Sequence, residues 1–240
     1  MLIRRSLACE GLSGEMIDWF PTHPAGAAPE PQRDLLRWQG MVRLRAVARH
    51  IDGLDPTTAG HSERVAELAA RLAVELGWPG SRVHELGEAA VVHDVGKIVV
   101  PDEVLLTPGG LSFEQYEVVK EHADVGARLV SMVLSPRQAS WVRHHHERWD
   151  GRGYPDGLAG EDIPDGAAIL CLADSWDAMR RRAWIGQPLS VGEALEECWR
   201  EAGYQFAPWA IHALEAVVNA LSPASQARLA PAPEPLQPAA

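Results

Sequence analysis

Residues 83–97 read VHELGEAAVVHDVGK. The spacing predicts a helix from Val83 to Val95, stopped by Gly96. Its apolar end, Ala89 to Val92, delivers an imidazole and a carboxylate side by side, His93 and Asp94. Burying such a pair costs several kcal/mol unless the groups are paired or bound to a metal. Successive helical positions diverge by about 100°. Two adjacent ligands therefore meet one ion only near a helix end, or else the carboxylate bridges two ions. A buried structural hydrogen bond between His93 and Asp94 is the other reading of this stretch.

Helical periodicity continues on both sides. Leu35 to Ile51 is one amphipathic segment, and His61 to Leu76 is a second that ends at Gly77. Phe113 to Val133 is a long one with Ser112 as N-cap. Arg137 to Arg148, Ile169 to Arg181, Val191 to Ala202 and Pro208 to Leu221 complete the set. No run alternates over the length of a core strand, so the expected class is all-α. Residues 1–33 are proline-rich and read as a flexible N-terminal segment, too short for a sensor. Residues 34–222 form the expected domain, and 223–240 an Ala/Pro-rich disordered tail. Two loops stand out. One runs from Pro101-Asp102 to the turn Pro108-Gly109-Gly110. The other, Asp150 to Asp165, is glycine- and proline-rich, and long loops of this kind are functional or disordered. Trp149 and Tyr154 favour function.

The chain has 240 residues, 46% of them hydrophobic, and a net charge of −11. The hydrophobic share supports a substantial core. The charge argues against a nucleic-acid polymer or a membrane surface as partner. It leaves anionic small substrates open, because bound divalent ions invert the local sign. Cys9, Cys171 and Cys198 show no paired spacing and read as reduced thiols of a cytoplasmic protein. No apolar run reaches the roughly 20 residues of a spanning helix.

Six of the ten histidines fall near carboxylates or in clusters. His144-His145-His146 runs into the long glycine-rich loop. His61 opens a helix, His122 lies within one, and Asp174 ends the apolar run Ile169 to Ala173 with Asp177 a turn later. Alone, each reads as structural; together they form a candidate ligand set. Imidazole plus carboxylate without thiolate suits iron or manganese, with zinc, nickel or cobalt also compatible. A bridging carboxylate implies two ions about 3.5–4 Å apart.

These motifs resemble the HD-GYP family, a branch of the HD-domain metal phosphohydrolases, over about residues 50–220. His61-Ser62-Glu63-Arg64-Val65 resembles HSxRV, and His93-Asp94-Val95-Gly96-Lys97 followed by Pro101-Asp102 resembles HDxGK and PD. His122 to Gly126 resembles HxxxG, and His145 to Pro155 resembles HHExxDGxGYP. Asp174 to Met179 resembles DxxDAM. The resemblance implies an HD-domain helical bundle with a C-terminal HD-GYP extension. It implies hydrolysis of cyclic di-GMP to pGpG, and in some members to GMP, by a metal-bridging hydroxide. His61, His93, Asp94 and Asp174 would hold one ion, and Asp94, His122, His145 and His146 the other. Lys97 would steady charge on the phosphate, with Gly153, Tyr154 and Arg180 on the substrate side. An upstream signalling partner or a homodimer is the expected protein interaction.

Three departures bear on substrate. Thr57 stands where some members carry a Glu and hold a third metal, which favours two ions. Arg180 to Gly186 reads RRRAWIG where the family reads TSDRPYR, placing Ala183 and Gly186 where phosphate-gripping residues belong. The arginine run is either a substitute grip or a solvated helix end. Ala168 replaces an Arg. Another nucleotide substrate, or a weakly active module that binds metal and messenger, are the alternatives these changes motivate.

Overall fold

The computed structural model describes residues 31–107, 110–181 and 187–220. Calls made on residues 1–30, on Pro108-Gly109, on Arg182 to Gly186 and on the tail beyond 220 lie outside these. Among the described residues the architecture is all-α, as the periodicity predicts, with only two isolated β-bridges.

The helices are α1 (Pro31–Asp52), α2 (His61–Glu75), α3 (Gly80–Ala90), α4 (Asp102–Leu105), α5 (Phe113–Val130), α6 (Pro136–Arg143), α7 (Asp165–Arg181), α8 (Val191–Arg200) and α9 (Pro208–Ala220). Short 3-10 turns cover Pro56–Thr58, Val95–Val99 and Gly160–Asp162. Serine capping boxes start three helices: Ser112 with Gln115, Ser135 with Gln138 and Ser190 with Glu193. A serine N-cap contributes about 1 kcal/mol.

The core sits around α2 and α7. Val65, Leu68 and Leu72 line the inner face of α2, at the spacing of a single helical stripe. The first half of α7, Gly166 to Ala173, is buried all round, which makes it the central helix. Ala168, at the position of the missing Arg, lies inside that apolar stretch. Trp141, Trp176, Leu86, Ile211 and Leu214 fill the space between. Truncating a buried leucine here costs about 2–5 kcal/mol.

Several predicted boundaries move: α3 starts at Gly80 rather than Val83, α5 ends at Val130 rather than Val133, and α7 starts at Asp165 rather than Ile169. The first helix starts at Pro31, inside the segment expected to be flexible. The third ends at Ala90, not Val95, and the sixth ends at Arg143, not Arg148. In the last two the backbone tightens past the helix end into bonds three residues back: Val92 donates to Ala89, His93 to Ala90 and Val95 to Val92, and Glu147 to His144. The loop after Pro101 also differs, since it contains the short helix α4.

The 3-10 turn Val95–Val99 lies directly against α5. A Cβ on Gly96 would overlap the His122 carbonyl, and Gly126 faces the Gly96 amide from the other side. Only glycine permits this approach. It brings the turn carrying His93 and Asp94 onto the helix carrying His122.

Candidate metal centre

Five separate elements supply the cluster. His61 is the first residue of α2, whose start is fixed by Asp52: its carboxylate accepts from the Ser62 amide at 2.9 Å and the Ser62 hydroxyl at 3.0 Å. His93 and Asp94 come from the turn after α3, and His122 from within α5. His145 and His146 come from the turn after α6, and Asp174 from α7.

Asp94 stands at the centre and its two oxygens face different partners. Oδ2 lies 3.4 Å from His93 Nε2 and 3.9 Å from His61 Nε2. Oδ1 lies 3.4 Å from His122 Nε2 and 3.8 Å from His145 Nε2. Two groups have ligand atoms close enough for one ion each: His61, His93 and Asp94, then Asp94, His122, His145 and His146. Asp94 belongs to both. Asp174 stands beside the first group, with Oδ1 3.2 Å from His61 Nε2. Lys97 Nζ contacts Asp94 Oδ2 at 2.5 Å.

The tautomers follow from the outer contacts. His93, His122 and His145 each place Nδ1 within 2.6–2.7 Å of the carbonyl three residues earlier, namely Ala90, Val119 and Val142. A carbonyl only accepts, so each Nδ1 carries the proton and each Nε2 presents a lone pair inward. His122 Nε2 and His145 Nε2 then face each other at 3.4 Å. Two lone pairs so placed repel unless a cation lies between them. His61 Nε2, His93 Nε2 and Asp94 Oδ1 are buried with no hydrogen-bond partner. Buried polar atoms are normally satisfied, and a metal ion would satisfy these. The donor set of imidazoles and carboxylates fits divalent transition metals.

The electrostatics agree. Burial pushes His122 down to about 4 and His145 down to about 3, the latter helped by His93 and His122. Burial, with His145 and His122, also holds His146 well below the usual range. These three are neutral at pH 7. Burial opposes ionisation of Asp94, but Lys97, His93 and His122 outweigh it and hold the carboxyl well below the usual range. His61 behaves differently. Burial alone would lower it, yet the carboxylates of Asp174 and Asp177 beside it raise it to about 9. A metal at His61 therefore displaces a proton from Nε2.

Asp177, in the DxxDAM stretch, lies outside the expected ligand set but touches it. Its Oδ2 lies 2.8 Å from His61 Nδ1, and Arg64 grips both its oxygens at 2.7 and 2.9 Å. Three residues beyond Asp174, it shares the same helix face. The Asp-x-x-Asp spacing was the available signal. Glu147 was also missed. It is buried and accepts from the amides of Asp156, Gly157 and Leu158 at 2.8, 3.1 and 3.1 Å. That staple orders the glycine-rich loop.

In the loop, Tyr154 stacks on His146 with ring centroids 4.9 Å apart. Gly153 lies against the backbone of His146 to Arg148, where a Cβ would overlap it, so this glycine shapes the loop. His144 turns away from the cluster, towards Asp156 at 3.0 Å. Arg180 is not brought to the cluster. It is 4% exposed and its guanidinium donates to the Leu189 carbonyl. The sequence placed it on the substrate side; its burial against Leu189 leaves it no free face there.

A cavity of about 450 Å³ opens beside His61, Asp94 and Lys97. Ile51, Leu54, Leu105 and Leu106 give it apolar walls, and Thr57 and Thr58 a polar edge. Among the described residues, no helix is long and apolar enough to cross a membrane.

A family profile described as HD domain matches residues 45–208, and the chain belongs to that family. It is 41% identical over 162 residues to a cyclic di-GMP phosphodiesterase of Thermotoga maritima, covering 66% of this chain and 44% of that protein. It is 36% identical over 178 residues to the cyclic di-GMP phosphodiesterase response regulator RpfG of Xanthomonas campestris pv. campestris, covering 71% and 46%. It is 32% identical over 167 residues to 3'3'-cGAMP-specific phosphodiesterase 2 of Vibrio cholerae, covering 68% and 32%. The chain thus spans less than half the length of each. Among solved structures, a cyclic GMP-AMP specific phosphodiesterase of V. cholerae (V-cGAP3) matches with a TM-score of 0.57 at 20% identity, covering 79% of this chain and 50% of that one. Bd1817, an HDG"Y"P protein from Bdellovibrio bacteriovorus, matches with a TM-score of 0.57 at 18% identity, covering 79% and 64%. These two likenesses show the HD-domain fold.

Proposed function

We propose that the chain is a two-metal phosphodiesterase that hydrolyses a cyclic dinucleotide, cyclic di-GMP first, to linear pGpG. The observation that carries this reading is the division of Asp94, one oxygen towards His61 and His93 and the other towards His122 and His145. That is the arrangement of a carboxylate shared by two cations. His61, His93, Asp94 and Asp174 would hold one ion; Asp94, His122, His145 and His146 would hold the other. Iron or manganese fits the donor set best. Bound divalent ions supply Lewis acidity towards a phosphoryl group.

The chain's own residues do the rest. The three carbonyl-anchored histidines keep their Nε2 atoms aimed inward without reorganisation. Asp177 and Arg64 orient His61. Lys97 lines the cavity and sets its ammonium where charge grows on a phosphate held beside Asp94. The apolar cavity walls take one nucleoside and exclude water around it. Tyr154, on the His146 side, offers a ring to a guanine.

The test is turnover by anaerobically purified protein with iron or manganese, with metal content measured on the same sample. Appearance of pGpG supports the reading. Cleavage of another nucleotide without any cyclic di-GMP turnover overturns it. Binding without product would make the chain a messenger-binding module. Preference for 3'3'-cGAMP is a second reading, favoured by the names of the V. cholerae relatives.

A further inference from the structure

The cavity accounts for one half of a cyclic dinucleotide. Such a molecule carries two bases on either side of a phosphodiester ring, so a phosphate at the cluster leaves the second base on the other side. The cavity is walled by His61, Asp94 and Lys97, and neither His146 nor Tyr154 lines it. His146 belongs to the other ligand group, and from it a line of rings runs outward past the part of α5 whose Val119 lines the cavity. Tyr154 stacks on His146, and Tyr116 of α5 meets Tyr154 edge-on with centroids 6.1 Å apart.

We infer that Tyr116 and Lys120, with Phe113 as an outer rim, form a second base-binding step that receives the nucleobase outside the cavity. The inference rests on the cyclic dinucleotide reading above. Tyr116 is 45% exposed and Phe113 is 74% exposed, one helical turn apart, so both rings face solvent beside the cluster rather than the core. Lys120, one turn on from Tyr116, holds Nζ 5.3 Å from the Tyr116 ring and 5.9 Å from the Tyr154 ring. It is ion-paired to Glu117 at 2.6 Å, which keeps the ammonium next to the rings. Exposed rings with an adjacent cation suit a purine and its phosphate: the ring stacks and the ammonium contacts an acceptor oxygen. Continuity with His146 through Tyr154 separates this patch from ordinary exposed apolar residues such as Met132.

The step binds base in the ground state and the transition state alike, so it acts on KM and not on kcat. Steady-state kinetics with cyclic di-GMP tests it in wild type, Tyr116→Ala, Tyr116→Phe and Lys120→Ala. The expected result is a KM raised about tenfold by Tyr116→Ala, the loss of one base–ring stack, with kcat within about twofold. Tyr116→Phe restores KM, because stacking needs the ring and not the hydroxyl. Lys120→Ala raises KM and weakens its dependence on salt. An unchanged KM in both alanine variants, with wild type active, overturns the step and leaves the function reading intact. A kcat loss at unchanged KM also overturns it. Wild type inactive on every cyclic dinucleotide overturns both together.

Discussion

His61 Nδ1 lies 2.8 Å from Oδ2 of Asp177. This carboxylate–imidazole contact orients the ring from behind and raises its basicity, as outer partners of metal-ligating histidines do. Asp177→Asn keeps the shape and removes the charge. The expected outcome is metal affinity at the His61 group weakened about 10- to 100-fold, read by competition with a chelator. Affinity equal to wild type would mean that His61 needs no such support.

Asp94 touches both ligand groups, so a change there acts on both. Asp94→Asn should strip metal from the whole centre while circular dichroism keeps its helical signal. Retention of one full metal equivalent would contradict a shared ligand. Lys97→Ala makes the contrast: metal content stays, and kcat falls about 100- to 1,000-fold if its ammonium acts on the developing charge.

Acid and alkali should destabilise chelator-treated protein for opposite reasons. His122 and His145 titrate at about 4 and 3 in the folded chain, against 6.5 ordinarily. Below pH 6.5 the unfolded chain takes up protons that the folded chain refuses, so stability falls as pH drops towards 4. His61 is raised to about 9. Its contribution is complete below 6.5 and is lost as pH rises through 9. The thermal midpoint should therefore peak near pH 6.5 and decline on both sides. A midpoint that climbs steadily from pH 6.5 to 4 would contradict the neutral state of the buried histidines.

Glu147 accepts three loop amides with one buried carboxylate. Glu147→Ala leaves those amides without their acceptor, at about 1–3 kcal/mol for each group left dry. The expected signs are faster proteolysis between Arg152 and Glu161 and loss of activity. Glu147→Gln, which keeps an acceptor oxygen, should recover part of both. Equal protease resistance in all three proteins would remove the loop role.

The residues of the candidate cluster were legible as a set: each alone reads as structural, but six histidines grouped with carboxylates at the ends of apolar runs do not. The helices were legible from periodicity, and Ser112 from its capping pattern. What the pattern missed depends on distant packing. The ends of α3 and α6 moved because the backbone there tightens into bonds three residues back, and periodicity contains no such information. Asp177 acts only through the meeting of α2 and α7. Arg180 reads as a free cation until Leu189 folds over it.

The centre is gathered from α2, α5, α7 and two inter-helical turns, and its outermost linked pair, His61 and Asp177, is 116 residues apart in sequence. No contiguous fragment shorter than residues 61–177 contains it. In the unfolded chain these residues are scattered, so the free energy of metal capture would add to that of folding. The ions would fasten the bundle at five points at once, as a multiple cross-link does. Metal loading would then report that the whole bundle has closed, and catalytic competence would arrive last in its assembly.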